Sequence, residues 1–191
     1  MEILFLHSNK KKLIDGPLLL RPNIFEDERG YFFESWNKNL FNESVGKEIS
    51  FVQDNHSSSK KGIIRGMHFQ ASPYQQSKLV RCIYGSIFDV IVDIRQTSKS
   101  FGEWFGIEMN ATNNYQLWIP PGFAHGFLAL TKDSIVLYKV DKFRNQNYER
   151  ILKWNDELIG IKWPRLNQSY SLSEKDNNAP NICDINQDDL F

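Results

Sequence analysis

Short runs of β-forming residues, cut by glycine, proline and asparagine turns, fill most of the chain and point to a sandwich or a barrel. Leu18 to Phe25, Tyr31 to Glu34, Ile63 to Gln70, Leu79 to Tyr84, Ile87 to Arg95, Trp104 to Met109, Gln116 to Ile119, Gly126 to Leu130 and Ile135 to Val140 all read as strands. Tyr84-Gly85-Ser86 between two of them is a hairpin turn. Beyond it Phe88, Val90, Val92 and Ile94 share one face, and Asp89, Ile91, Asp93 and Arg95 share the other. That second face suits either solvent or the lining of a wet cavity.

Helical signals are few. Leu40, Phe41 and Val45 recur at helical spacing within Asn37 to Val45, and Gly46 follows as a stop. Ser171-Leu-Ser-Glu174 has capping-box spacing, which places Lys175 and Asp176 on a short helix or turn. The tail after Pro180 reads as weakly ordered. No repeat, low-complexity block or linker divides residues 1–191, so a single domain is expected, and 41% hydrophobic residues are enough for its core.

The 23 basic and 23 acidic residues cancel, which gives no reason to expect nucleic acid or a membrane surface as partner. An anionic ligand would have to be met by a local cluster. Cys82 and Cys183 lack metal-ligand spacing, and the start Met1-Glu-Ile-Leu-Phe-Leu-His7 lacks the basic segment and longer apolar stretch of a secretion signal. No apolar run approaches the roughly 18 residues of a membrane span. A soluble, reduced, cytoplasmic protein is expected.

The stretch from Phe51 to Gln70 concentrates the chemistry. Gln53, Asn55, Arg65, His68 and Gln70 are too polar for an ordinary half-buried sheet face, so a lined pocket is the economical explanation. In an ideal strand Arg65 and His68 would point to opposite faces, but Gly66 is where a bulge would re-aim one of them. His56, His68 and His125 stand on separate segments without a His-x-His pair, so no metal site is expected. Trp118-Ile-Pro-Pro-Gly-Phe-Ala-His-Gly-Phe127 is a rigid turn that presents His125. Tyr138 shares a strand face with Val136 and Val140, where a tyrosine is ordinary core unless a base faces it. Glu34 closes a run of three aromatics and is hard to read as solvent decoration.

In order along the chain, Phe25-x-Asp27-x-Arg-Gly30-x-Phe32-x-Glu34, Phe51-Val-Gln-Asp-Asn-His-Ser57, Arg65-Gly-x-His68-x-Gln70, Lys78-Leu-Val-Arg81, Asp89-Val-x-Val-Asp93, Trp118-Ile-Pro-x-Gly-Phe-Ala-His-Gly-Phe127, Leu137-Tyr-Lys139 and Trp154-Asn-Asp-Glu157 resemble the dTDP-4-dehydrorhamnose 3,5-epimerase family. The resemblance implies an all-β, cupin-type double-stranded β-helix jelly roll with a few short peripheral helices. It also implies a homodimer with strand exchange, no metal and no organic cofactor. The reaction implied is inversion of C3 and C5 of dTDP-4-dehydro-6-deoxy-D-glucose to give dTDP-4-dehydro-β-L-rhamnose, for dTDP-rhamnose and polysaccharide biosynthesis.

By the same resemblance His68 is the base, Asp176 the carboxylate that orients it, Tyr138 the acid on the other ring face and Lys78 the cation at the enolate oxygen. Arg29 and Arg65 match diphosphate and substrate contacts, and Glu34, Gln53, Asn55, His125, Glu149 and Lys175 match further substrate-site positions. The family commonly carries an aromatic pair after its tyrosine, where a ring stacks on thymine. This chain reads Lys142-Phe143-Arg144, which leaves Phe143 to stack and puts Arg144 where a ring is expected. His56 is left as structural. Two alternatives are a C3-only epimerase of a related nucleotide 4-keto-6-deoxysugar and a cupin that binds sugar nucleotide without catalysis.

Overall fold

The structure, a computed structural model, describes residues 1–191. Two antiparallel sheets face each other. The first orders its strands β1 (Glu2–His7), β2 (Leu13–Arg21), β10 (Gln116–Ile119), β7 (Lys78–Tyr84), β12 (Asp133–Val140) and β5 (Gln53–Lys60). The second runs β13 (Glu149–Ile151), β6 (Ile64–Gln70), β11 (Phe123–Ala129), β8 (Ser86–Asp93) and β9 (Trp104–Asn110). A separate hairpin of β3 (Phe25–Asp27) and β4 (Gly30–Phe32) pairs only with itself. This is the all-β jelly-roll architecture expected of a cupin.

Alternation along the strands sorts the side chains into three apolar layers. Leu19, Val80, Cys82, Leu117, Ile119 and Val136 from the first sheet meet Ile87, Ile91, Met109, Phe123 and Phe127 from the second, forming the interior of the sandwich. The outer face of the second sheet, with Val90, Val92, Ile94 and Ala124, is covered by Leu152, Ile159, Ile161, Ile182, Ile185 and Leu190. Outside the first sheet, Phe41 of helix α1 (Lys38–Val45) packs with Ile49 on Leu18, Leu20, Leu79 and Trp118. Asn37 caps α1, and Gly46 ends it in the left-handed region at φ 68.

Three expectations change. The tail after Pro180 is packed, because Ile182, Ile185 and Leu190 seal the outer layer and Asp156 accepts a 2.6 Å hydrogen bond from the Ile182 amide. Their irregular spacing among polar residues matches neither a helical nor a strand period, which hid them. The cap of helix α2 (Glu174–Asn177) is Ser173, two residues beyond Ser171, with its Oγ accepting from the Asp176 amide. The mixed face of β8 is neither solvent ladder nor wet along its whole length: Asp89, Ile91 and Asp93 are fully buried.

The bulge anticipated at Gly66 is present. His125 pairs with His68 and Phe127 with Arg65, so two steps on β11 oppose three on β6. The extra residue lets Arg65 and His68, three apart, both face the interior. Gly66 sits at φ +124, and a Cβ there would lie 2.5 Å from the Gly126 Cα and 2.8 Å from the His125 carbonyl oxygen. Only glycine fits that approach.

Candidate active site

The inward positions near one end of the sandwich are polar where the rest are apolar. Asn55 on β5, Tyr138 on β12 and Val80 on β7 lie in one rung, with Gln53, Val140 and Lys78 in the next. Across the gap, His68, His125 and Ile91 share a rung of the second sheet, and Arg65, Phe127 and Asp89 share another. His68 and Tyr138 therefore stand on opposite walls. Lys78 bridges them, its Nζ donating to the His68 carbonyl oxygen at 3.2 Å.

His68 is held firmly on one side. Its Nε2 lies 2.6 Å from Asp176 Oδ1, and the imidazole remains about one-third exposed, with its side chain at 33%. The Gly66 amide donates to Asp176 Oδ2 at 3.3 Å. Burial pushes the Asp176 carboxyl upward, but the bonds from His68, Gly66 and Ser173 outweigh it and hold the group below the ordinary carboxylate range. With Nε2–H donated to Asp176, Nδ1 keeps a lone pair that can take a proton.

Burial also works on the other wall. It raises the Tyr138 phenol, against the pull of the Arg144 and Arg65 guanidinium groups. The Lys78 ammonium is lowered by burial to about 8, with Asp89 and Glu149 opposing that shift. Lys78 therefore stays mainly protonated at neutral pH and supplies a cation with little competing solvent.

Arg65 is fixed by hydrogen bonds from Nε to Ser59 Oγ at 2.8 Å and from Nη2 to the Ser58 carbonyl oxygen at 3.0 Å. Gln53 donates to Asn55 Oδ1 at 2.7 Å. His125 is buried, with Nε2 within 2.9 and 3.0 Å of the two Asp89 oxygens. Glu149 Oε2 receives Arg144 Nη2 at 2.5 Å and Lys175 Nζ at 3.0 Å. Burial raises the Glu149 carboxyl, and these two cations more than reverse that.

Not every candidate converges. Arg29 projects into solvent from the β3–β4 hairpin and pairs only with Asp27. Glu34 is exposed on the far side of the first sheet, beside Ser35, Trp36 and Phe41, and accepts from Asn37. Phe143 is 68% exposed. His56 points away from the interior, into an outer concavity lined also by Arg81, Leu137 and Lys139. No group of three or more His, Cys, Asp or Glu side chains is gathered at metal-binding distance.

Two supporting residues were not legible in the sequence. Asp89 stood out on a mixed strand face and in a family block but with no role, and its pairing with His125 depends on register between β8 and β11. Ser59, which orients Arg65, lies in a polar run with nothing to mark it.

A base backed by a buried carboxylate, a phenol on the opposite wall and a half-buried cation between them fit proton abstraction next to a carbonyl, with return of a proton from the other face. Comparisons with known proteins agree. Residues 11–184 match the model of the dTDP-4-dehydrorhamnose 3,5-epimerase family. The dTDP-4-dehydrorhamnose 3,5-epimerase of Salmonella typhimurium is 51% identical over 170 residues, covering 89% of this chain and 92% of that one. The Legionella pneumophila dTDP-6-deoxy-D-glucose-3,5-epimerase, solved in complex with dTDP-4-keto-L-rhamnose, superposes with a TM-score of 0.91 at 38% identity, covering 99% and 97%. ChmJ, a 3'-monoepimerase from Streptomyces bikiniensis solved with dTDP-quinovose, gives 0.85 at 30% identity, covering 93% and 88%.

Proposed function

The chain belongs to the dTDP-4-dehydrorhamnose 3,5-epimerase family, and on that premise we propose an isomerase that inverts C3 and C5 of dTDP-4-dehydro-6-deoxy-D-glucose, giving dTDP-4-dehydro-β-L-rhamnose. The observation that carries this reading is the placement of His68 and Tyr138 on facing walls with Lys78 between them. The hydrogens on C3 and C5 are acidified by the C4 ketone. His68 Nδ1 takes one, and the C–H electron pair moves into the ring as the ketone becomes an enolate. Asp176 stabilises the imidazolium that results. The Lys78 ammonium meets the enolate oxygen, where negative charge develops. Tyr138 then delivers a proton to the opposite face, and the centre is inverted.

The remaining groups serve the nucleotide. Arg65 presents a fixed guanidinium to the diphosphate, while Gln53, Asn55, His125, Glu149 and Lys175 orient the sugar nucleotide and Phe143 offers a ring to the base. Arg29 and Glu34 act in a neighbouring subunit's site within a strand-exchanged homodimer. The hairpin that carries Arg29 leaves Phe25, Tyr31 and Phe32 at 64%, 59% and 68% exposure, an apolar surface that supports a partner. No helix is long and apolar enough to cross a membrane, and both cysteines are free, which supports a cytoplasmic setting.

The fold likeness to a 3'-monoepimerase favours one second reading, inversion at C3 alone. Turnover of dTDP-4-dehydro-6-deoxy-D-glucose in deuterated water separates the two. Deuterium at C3 and C5 is the expected result. Label confined to C3 would select the monoepimerase, and label at neither carbon would remove catalysis from the account.

A further inference from the structure

We propose that Gln70 is a positioning residue, a buried amide that ties together the two loops crossing between the sheets and so sets the spacing of the walls on which base and acid stand. This role rests on the reading of His68 as base and Tyr138 as acid. Residues 71–77 carry the chain from β6 in the second sheet to β7 in the first, and residues 141–148 carry it back from β12 to β13. β7 lies beside β12 and β6 beside β13, so the two crossings run side by side. His68 and Tyr138 each stand three residues before one of these loops, and Lys78 directly follows the first.

Gln70, the last residue of β6, sits where the two loops meet and is only 6% exposed. Its Nε2 donates to the Tyr74 carbonyl oxygen of the first loop at 3.0 Å, and its Oε1 accepts from the Asn145 amide of the second at 2.7 Å. A backbone carbonyl only accepts and a backbone amide only donates, so these partners fix which end of the side chain is which. With both ends engaged by backbone and almost no surface left open, Gln70 acts through the loops and not by touching substrate.

Further links join loop to loop. The Ala71 amide donates to the Tyr148 carbonyl oxygen at 2.9 Å, Gln76 Nε2 to the Lys142 carbonyl oxygen at 2.6 Å and the Ser77 amide to Asp141 Oδ1 at 2.7 Å. The Tyr74 and Tyr148 rings lie 4.6 Å apart. Gln70 differs in bonding both loops from β6 itself, two positions beyond His68. Removing its amide leaves the Tyr74 carbonyl and the Asn145 amide without partners in a partly buried setting, so the loops must shift to satisfy them. The walls have to hold the sugar ring within reach of both His68 and Tyr138, and a misplacement of about 1 Å costs on the order of 10²-fold in rate.

The test is steady-state turnover of dTDP-4-dehydro-6-deoxy-D-glucose by Gln70→Met and Gln70→Glu across a range of pH. Methionine keeps the reach and makes neither bond, so kcat should fall by about 10- to 100-fold at every pH, with KM within a few-fold of the wild type. Glutamate accepts from Asn145 as a carboxylate, but donates to Tyr74 only when protonated. Its kcat relative to the wild type should therefore rise several-fold as pH falls from about 8 toward the carboxyl's own value, which burial lifts above about 4.3, while the methionine ratio stays flat. An unchanged kcat in Gln70→Met would overturn the proposal, and a raised KM with kcat unchanged would overturn it by placing Gln70 with the nucleotide contacts. A glutamate ratio that does not move with pH would overturn it as well, and that comparison stands where the methionine variant fails to fold. Retained deuterium exchange in His68→Ala would remove the base assignment while leaving the Gln70 comparison readable, so the two failures are distinct.

Discussion

Replacing Lys78 with methionine should stabilise the fold and stop the chemistry, and the stabilisation should carry a specific pH signature. Lys78 faces the interior, half-buried, with one hydrogen bond to the His68 carbonyl oxygen. Burial lowers its ammonium from 10.5 to about 8, a figure that already includes the opposing pull of Asp89 and Glu149. Below the lower value the group is charged in both the folded and unfolded states, and the folded state is penalised by about 3 kcal/mol. As pH rises from about 8 to 10.5 the folded state sheds its proton while the unfolded chain keeps it, so the penalty is relieved. Methionine has similar reach, fills the space and carries no charge. The unfolding free energy of Lys78→Met minus that of the wild type should therefore fall by about 2.5 kcal/mol between about pH 7 and about pH 10. Urea denaturation at the two pH values measures this directly. Turnover should drop by roughly 100- to 1000-fold, as expected when a charge-stabilising group at an oxyanion is removed. A stability difference that does not change with pH would refute the buried-ammonium reasoning.

Asp176→Asn should lower turnover by about 10²- to 10⁴-fold, because the amide cannot stabilise the imidazolium. The Asp176 carboxyl titrates below its ordinary value in the fold, so its stabilisation is present above about pH 4 and is lost as pH falls through the folded value. Acid denaturation should thus show the wild type's advantage over Asp176→Asn shrinking toward low pH, and an advantage that grows there would contradict the assignment. Gly66→Ala should destabilise the fold by more than about 2 kcal/mol, since a Cβ would strike the backbone of β11 at a φ that disfavours side chains. An unchanged melting temperature would mean the bulge tolerates a side chain.

Strands whose alternation reflects a buried apolar face were legible in the sequence. Leu79 to Tyr84 and Gln116 to Ile119 appear almost as read, because Val80, Cys82, Leu117 and Ile119 alternate into one core. β5 was not read as a strand. Gln53–Lys60 is polar at every position, since its inward residues line the site or bind Arg65 and its outward residues meet solvent. Its strand character comes from an eight-residue ladder with β12, which no local pattern announces.

The site divided in the same way. Gly66 between Arg65 and His68 signalled a bulge, and the bulge aims both side chains inward. Asp176, over a hundred positions from His68, could be joined to it only through family resemblance, because the contact depends on α2 docking against β6. Arg29 and Glu34 carry the family motif but lie outside the cluster around His68, Arg29 paired with Asp27 and Glu34 accepting from Asn37, so the motif alone did not tell where they sit.

The most direct test of the central claim is the His68→Ala variant in deuterated water, with dTDP binding measured on the same sample. Loss of deuterium incorporation at both C3 and C5 is predicted, with dTDP affinity within a few-fold of the wild type, because Arg65 and the other groups proposed to hold the nucleotide are untouched. Retained exchange at either carbon would show that another group takes that proton, and His68 would no longer be the base.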